Sequence, residues 1–96
     1  MHPSRCPPPA RARHLRELPN IGPSLADDLR LLGIEQPSQL RGAEPLRLYH
    51  RLCELTGTRQ DPCVLDTLMS VVHYMDTGEA RLWWSFTAER KAKGGY

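Results

Sequence analysis

An all-α domain of about five helices is the fold the sequence predicts, and three observations predict it. Apolar residues recur three and four apart, as in Leu25, Leu29 and Leu32 or Leu65, Leu68, Met69, Val72 and Met75. That is the period of a helix face, and no stretch alternates as a strand does. Start and stop signals punctuate the chain: Pro23, Pro45 and Pro62 stand where helices begin, Gly33 and Gly78 where they end. The 96 residues fit one domain with one modest core.

Each element follows from local chemistry. "MHPSRCPPPA" is rich in proline, which favours extended polyproline backbone, so residues 1–9 are expected to be a disordered, Pro-rich basic arm. A short helix is expected from Ala10 to Leu18, stopped by Pro19, with Leu15 and Leu18 sharing a face. In the turn "PNIGPS", Asn20 tolerates left-handed backbone and Gly22 adopts it freely. Pro23 then opens a helix that buries Leu25, Leu29 and Leu32; small Ala26 permits close approach, and Gly33 ends the helix with Ile34 folding back. A linker with one helical turn at Pro37 to Arg41 leads to a helix from Pro45, whose inner face is Leu46, Tyr49, Leu52 and Cys53.

Asp61 caps the next helix, which begins at Pro62 and is apolar on most sides, with Val64, Val71 and Tyr74 widening its stripe. Such a helix belongs at the centre of the fold. Leu82, Trp83, Trp84 and Phe86 are expected to close the core from a last helical or irregular segment, and residues 92–96 to fray. The organisation is thus an arm at 1–9, a domain at 10–91 made of two tandem helical hairpins with a C-terminal lid, and a tail.

Charge is distributed unevenly. The net charge is +2, yet residues 1–16 hold Arg5, Arg11, Arg13 and Arg16 with no acid, and residues 90–96 hold Arg90, Lys91 and Lys93 with no acid. Between them, six bases face all eleven acids, a net of −5. The body is acidic and both ends are basic, which suits either a nucleic-acid backbone at the ends or a basic protein partner at the body. The apolar runs are too short to cross a bilayer, and the N-terminus has no apolar signal region, so a cytoplasmic location is expected and no membrane contact. Cys6, Cys53 and Cys63 are odd in number and form no CxxC, which argues for reduced thiols.

The turn carries a known pattern. In helix-hairpin-helix motifs two glycines flank one apolar residue and an alanine follows four residues after the second; here Asn20 stands for the first glycine, with Ile21, Gly22 and Ala26 in place. The match continues through "GI", "LYHRLCELTGTRQDPCVLD", "VVHYMDTGE" and "WW". Over about residues 14–91 the chain resembles the small bacterial helix-hairpin-helix family of pathogenicity locus proteins, itself similar to the C-terminal domain of the competence regulator TfoX. The resemblance implies a five-helix, SAM-like fold and only loosely a function; the mitomycin-resistance label of some members is not carried over on this ground.

What the helix-hairpin-helix resemblance implies for binding is specific. Backbone N–H groups at the helix start, where the dipole is positive, would meet a phosphate. The corresponding residues are Asn20, Gly22, Ser24 and Leu25, Pro23 having no donor. Asp27 and Asp28 follow where such motifs usually carry Lys or Arg, so Arg11, Arg13 and Arg16 must supply the positive charge.

Other clusters read as structure. His50, Cys53, Cys63 and His73 are zinc-ligand types, but Cys63 and His73 lie ten residues apart on one helix, about 15 Å of rise, too far for one ion. Their expected role is packing, and no metal or cofactor is expected. Trp83 and Trp84 have the chemistry to stack on bases, but core or lid is the expected role. Asp61 reads as a cap and not as an acid catalyst. No nucleophile–base set or Gly-rich nucleotide loop stands out, so neither an enzyme nor a small-molecule substrate is expected. The expectation is a non-enzymatic protein that binds nucleic-acid backbone, DNA foremost, weakly and without sequence preference. Its alternative is a protein-interaction module with a structural hairpin and an acidic body.

Overall fold

Four α-helices carry the fold: α1 (Pro23–Leu31), α2 (Pro45–Thr56), α3 (Pro62–Thr77) and α4 (Thr87–Ala92). The structure, a computed structural model, describes residues 1–93, and among these there is no strand. Short 3-10 turns at Pro3–Arg5, Pro9–Arg11, Leu15–Glu17, Pro37–Leu40 and Trp83–Phe86 make the connections. The expected tail at 92–96 lies, beyond residue 93, outside the described residues.

The expected count of about five helices is corrected to four, because residues 10–18 do not form one. Two 3-10 turns stand there, separated by extended residues Ala12 and His14. The reason is side-chain competition for the backbone. Glu17 Oε1 accepts the N–H groups of Arg13 and His14, each at 2.9 Å, and Arg13 Nη1 donates to Ala10 O at 2.9 Å. Such bonds satisfy donors and acceptors that a helix would have used. Leu15 and Leu18 are nevertheless both buried.

Residues 1–9, expected to be a disordered arm, make several contacts with the rest of the chain. They lie along the body: the Tyr74 hydroxyl donates to Pro7 O, Cys6 packs against the core, and Met1 sits on the turn before α1. Burial accordingly pushes the Tyr74 phenol and the Cys6 thiol above their ordinary values. Proline favours extended backbone but does not forbid its docking.

α3 is the central helix, in contact with α2, α4 and the turns at 37–40 and 83–86. Asp61 accepts the Cys63 N–H at 2.8 Å, Pro62 fills the first position and Gly78 ends the helix. Leu65, Leu68, Met69, Val71, Val72, Tyr74 and Met75 are all buried. Leu29, Tyr49, Leu52 and Phe86 are buried as well, whereas Leu25 is only half-buried. Truncating a core side chain such as Leu68 to alanine costs about 2–5 kcal/mol. The side of α3 facing α4 is polar: Asp66, fully buried, takes Arg90 Nε at 2.6 Å and the Thr87 hydroxyl at 2.9 Å. This buried pair fixes α4 on α3.

The expected core role of the last segment holds only for Phe86. Leu82 is partly exposed and Trp84 is 59% exposed, because the 3-10 turn at 83–86 presents only one large side chain inward.

Candidate nucleic-acid interface

α1 begins without a side-chain cap. Gly22 stands at the capping position with extended backbone (φ −98°, ψ −173°) and no side chain to accept from the first N–H groups. Those of Ser24 and Leu25 are among the four donors that a helix cannot satisfy internally. The left-handed residue of the turn is Asn20 (φ +66°), not Gly22. At the far end, Gly33 N–H bonds Arg30 O and Ile34 N–H bonds Leu29 O, both at 2.9 Å, the paired closure that a left-handed glycine makes possible.

The acids are less obstructive than their place in the sequence suggests. α1 has no acid in its first turn. Asp27 sits four residues after Pro23, about 6 Å along the axis, and pairs with Arg30 at 2.9 Å on the surface. Asp28 is half-buried, and burial first, then the neighbouring Asp27, raises its carboxyl above the ordinary value.

The donors of Asn20, one of the residues expected to bind, are engaged within the fold. Its side-chain nitrogen donates to Ser70 Oγ at 2.9 Å and to Arg81 O at 2.8 Å, which uses both amide hydrogens, and its backbone N–H donates to Met1 O at 2.7 Å. The Met1 amine in turn donates to Leu18 O and Ile21 O, and burial lowers its pKa. Asn20 is therefore a tie between the turn, α3 and the segment before the tryptophans. Ile21 beside it is buried, as an apolar plug should be.

That tie brings Trp83 next to the turn. A groove of about 800 Å³ is lined by Asn20, Ile21, Gly22, Leu82 and Trp83. Arg16, His14, His2 and Glu17 line it too. The Glu17 oxygen is occupied by the Arg13 and His14 N–H groups, which hold its carboxyl below the usual range. The Ser4 N–H donates to His2 Nδ1 at 3.2 Å.

Of the residues expected to bind, Asn20, Gly22 and Arg16 thus meet at one groove. Ser24 and Leu25 follow on α1 but do not line it, Arg11 is exposed apart from it, and Arg13 lines a second groove with Ser38 and Arg41. His2, His14 and Trp83 were not expected there. Trp83 had the right chemistry in the sequence but no local signal of its direction; the histidines had none. The zinc-type residues are dispersed: His73 contacts Glu79 at 2.6 Å, Cys53 Sγ accepts the Gln60 N–H, and among the described residues no group of three or more His, Cys, Asp or Glu is placed to hold a metal. Among the described residues no helix is long and apolar enough to cross a membrane.

Comparison with known proteins decides the family. The sequence profile described as pathogenicity locus matches residues 9–92. The chain belongs to the pathogenicity locus family. One family-level relative, the mitomycin resistance protein McrB of Streptomyces lavendulae, is 44% identical over 77 residues, which is 80% of this chain and 73% of that protein. No solved structure gives a significant match. The pathogenicity locus profile thus takes in every residue lining the groove except Met1, His2 and Pro3.

Proposed function

We propose that this chain is a non-enzymatic nucleic-acid-binding protein that holds the sugar–phosphate backbone weakly and without sequence preference. The observation that carries the reading is the uncapped start of α1 beside a groove that holds Arg16, His14 and His2. Free N–H groups at a nine-residue helix start favour an anion, and the exposed Arg11, Arg13 and Arg16 add Coulomb attraction. Backbone donors and arginines directed at phosphate position a duplex but do not read bases, so little sequence preference is expected. The name of the Streptomyces relative supports a further step: a part in resistance to mitomycin exercised through nucleic acid.

Binding of a labelled duplex at two salt concentrations tests the reading. Affinity should fall steeply with salt. Replacing Arg11, Arg13 and Arg16 by alanine should flatten the slope of log affinity against log salt by roughly 0.9 per lost duplex contact. Substitution is preferred to deletion because the arm packs on the body. Failure to bind any nucleic acid at low salt, with binding of a basic peptide instead, favours the interaction-module alternative. Raised mitomycin tolerance on expression in a sensitive host, lost in the triple-alanine variant, tests the further step.

A further inference from the structure

The two tryptophans are misplaced for a core. Tyr49, Tyr74 and Phe86 are buried, whereas Trp84 is 59% exposed and Trp83, half-buried, forms a wall of the groove beside α1. Indole carries a large apolar area, so an exposed Trp84 beside a half-buried Trp83 points to a contact that the chain alone does not make. Gly22 and Arg16 line the same groove as Trp83: an indole, a helix start and a guanidinium around one opening. About 800 Å³ falls in the range that accepts a ligand of nucleotide size.

We propose that this groove seats an unpaired base of a single-stranded nucleic acid, stacked on Trp83, with the adjoining phosphate held by Arg16 and the start of α1. The inference rests on the nucleic-acid reading above and narrows it. A paired base within a duplex has both faces covered by its neighbours and cannot stack on a side chain, whereas a single strand offers a free π-face at every base. Among the described residues Glu17 is the one carboxylate lining the groove, and its engaged oxygen accepts from the backbone of residues 13 and 14. The Asn20 amide, already spent on Ser70 and Arg81, contributes no base-edge contact.

The chain has only two tryptophans, so fluorescence reports the site directly. Trp84→Phe leaves Trp83 as the single emitter. Titration of that variant with short oligothymidylate and oligouridylate should quench the emission. Trp83→Ala in the otherwise native chain should weaken binding of both strands by about 5- to 150-fold, the range that loss of one stacked base gives. Trp83→Phe should restore most of it, and circular dichroism should show all variants folded. Duplex of the same length should bind more weakly and leave Trp83 emission unchanged. Thymidine monophosphate should quench only at far higher concentration than the strand. Single-strand affinity untouched by Trp83→Ala overturns the inference. Duplex bound as tightly as single strand, without quenching, also overturns it but leaves the backbone-binding reading standing. Equal quenching by the mononucleotide replaces a strand by a free nucleotide as the ligand and overturns the proposal as stated. No binding of any nucleic acid removes both readings.

Discussion

α1 and α3 start in the same way and end in different situations. Each has proline at its first position, Pro23 and Pro62, and each ends near a left-handed glycine. Before Pro62 stands Asp61, whose carboxylate accepts the Cys63 N–H; before Pro23 stands Gly22, which has no side chain to accept with. The polar groups along α3 are equally closed: Asp66 holds Arg90 and Thr87, and Ser70 bonds both Thr67 O and Asn20. α1 instead has no side chain at its start to accept its first donors, and Gly22 before it lines the groove. α2 also lacks a side-chain cap, but Glu44 precedes its Pro45 and keeps a negative charge at its start. The difference teaches where the fold is satisfied by its own side chains and where first-turn donors have no side-chain partner. Structure and binding are thus separated by helix start, and substitutions should separate them too.

The largest effect should come from the closed side. Asp66→Ala leaves the buried Arg90 guanidinium without the carboxylate it contacts at 2.6 Å, and should cost about 3–5 kcal/mol in urea unfolding. The fraction still folded should bind nucleic acid as the native chain does, since Asp66 is remote in role from α1. A cost near zero would mean that α4 is not anchored there.

Asn20→Gly tests the tie between the two sides. Glycine adopts φ +66° at least as easily, so backbone conformation predicts no loss or a small gain. The hydrogen bonds predict the opposite, because Arg81 O and Ser70 Oγ each lose a donor, and the net cost should be roughly 1–3 kcal/mol. A variant as stable as the native chain would reduce Asn20 to a turn residue.

pH separates the caps more gently. The Cys63 N–H holds the Asp61 carboxyl below its ordinary value, so its contribution is full above the unfolded value near 4 and is lost as pH falls through the lower, folded value. Gly22 has nothing to titrate. Asp61→Ser keeps a capping oxygen without the charge, so its unfolding midpoint should change less than that of the native chain between pH 5 and 3. Equal changes would show that the acid loss comes from elsewhere, Glu17 being the next group held low.

How much of this was legible in the sequence follows the same division. α3 was legible from Asp61, Pro62, Gly78 and its apolar stripe, and α1 from Pro23, Gly33 and the leucines, because caps and periodicity act within a few residues. The absence of a helix at 10–18 was not, since Glu17 decides it by bonding backward to Arg13 and His14 in competition with good helix-forming residues. Docking of the arm, the Asp66–Arg90 pair and the closeness of Trp83 to Gly22 depend on contacts between distant parts of the chain. Periodicity carries no information about those. The candidate site was therefore half legible: Gly22 and Arg16 from the motif and the charge run, His2, His14 and Trp83 only from the fold.

Gly22→Asp tests the central claim most directly, because it gives α1 the cap that α3 already has. A Cβ at Gly22 meets nothing within 4 Å, and its backbone angles suit any residue, so the variant should fold. Its carboxylate should accept the free N–H groups of α1 as Asp61 accepts that of Cys63, and raise stability by a few tenths of a kcal/mol. The same carboxylate occupies and repels the phosphate position, so affinity for a labelled strand at low salt should fall roughly tenfold or more. The account predicts a chain at least as stable and a poorer binder. A folded Gly22→Asp variant that binds as tightly as the native chain would contradict it.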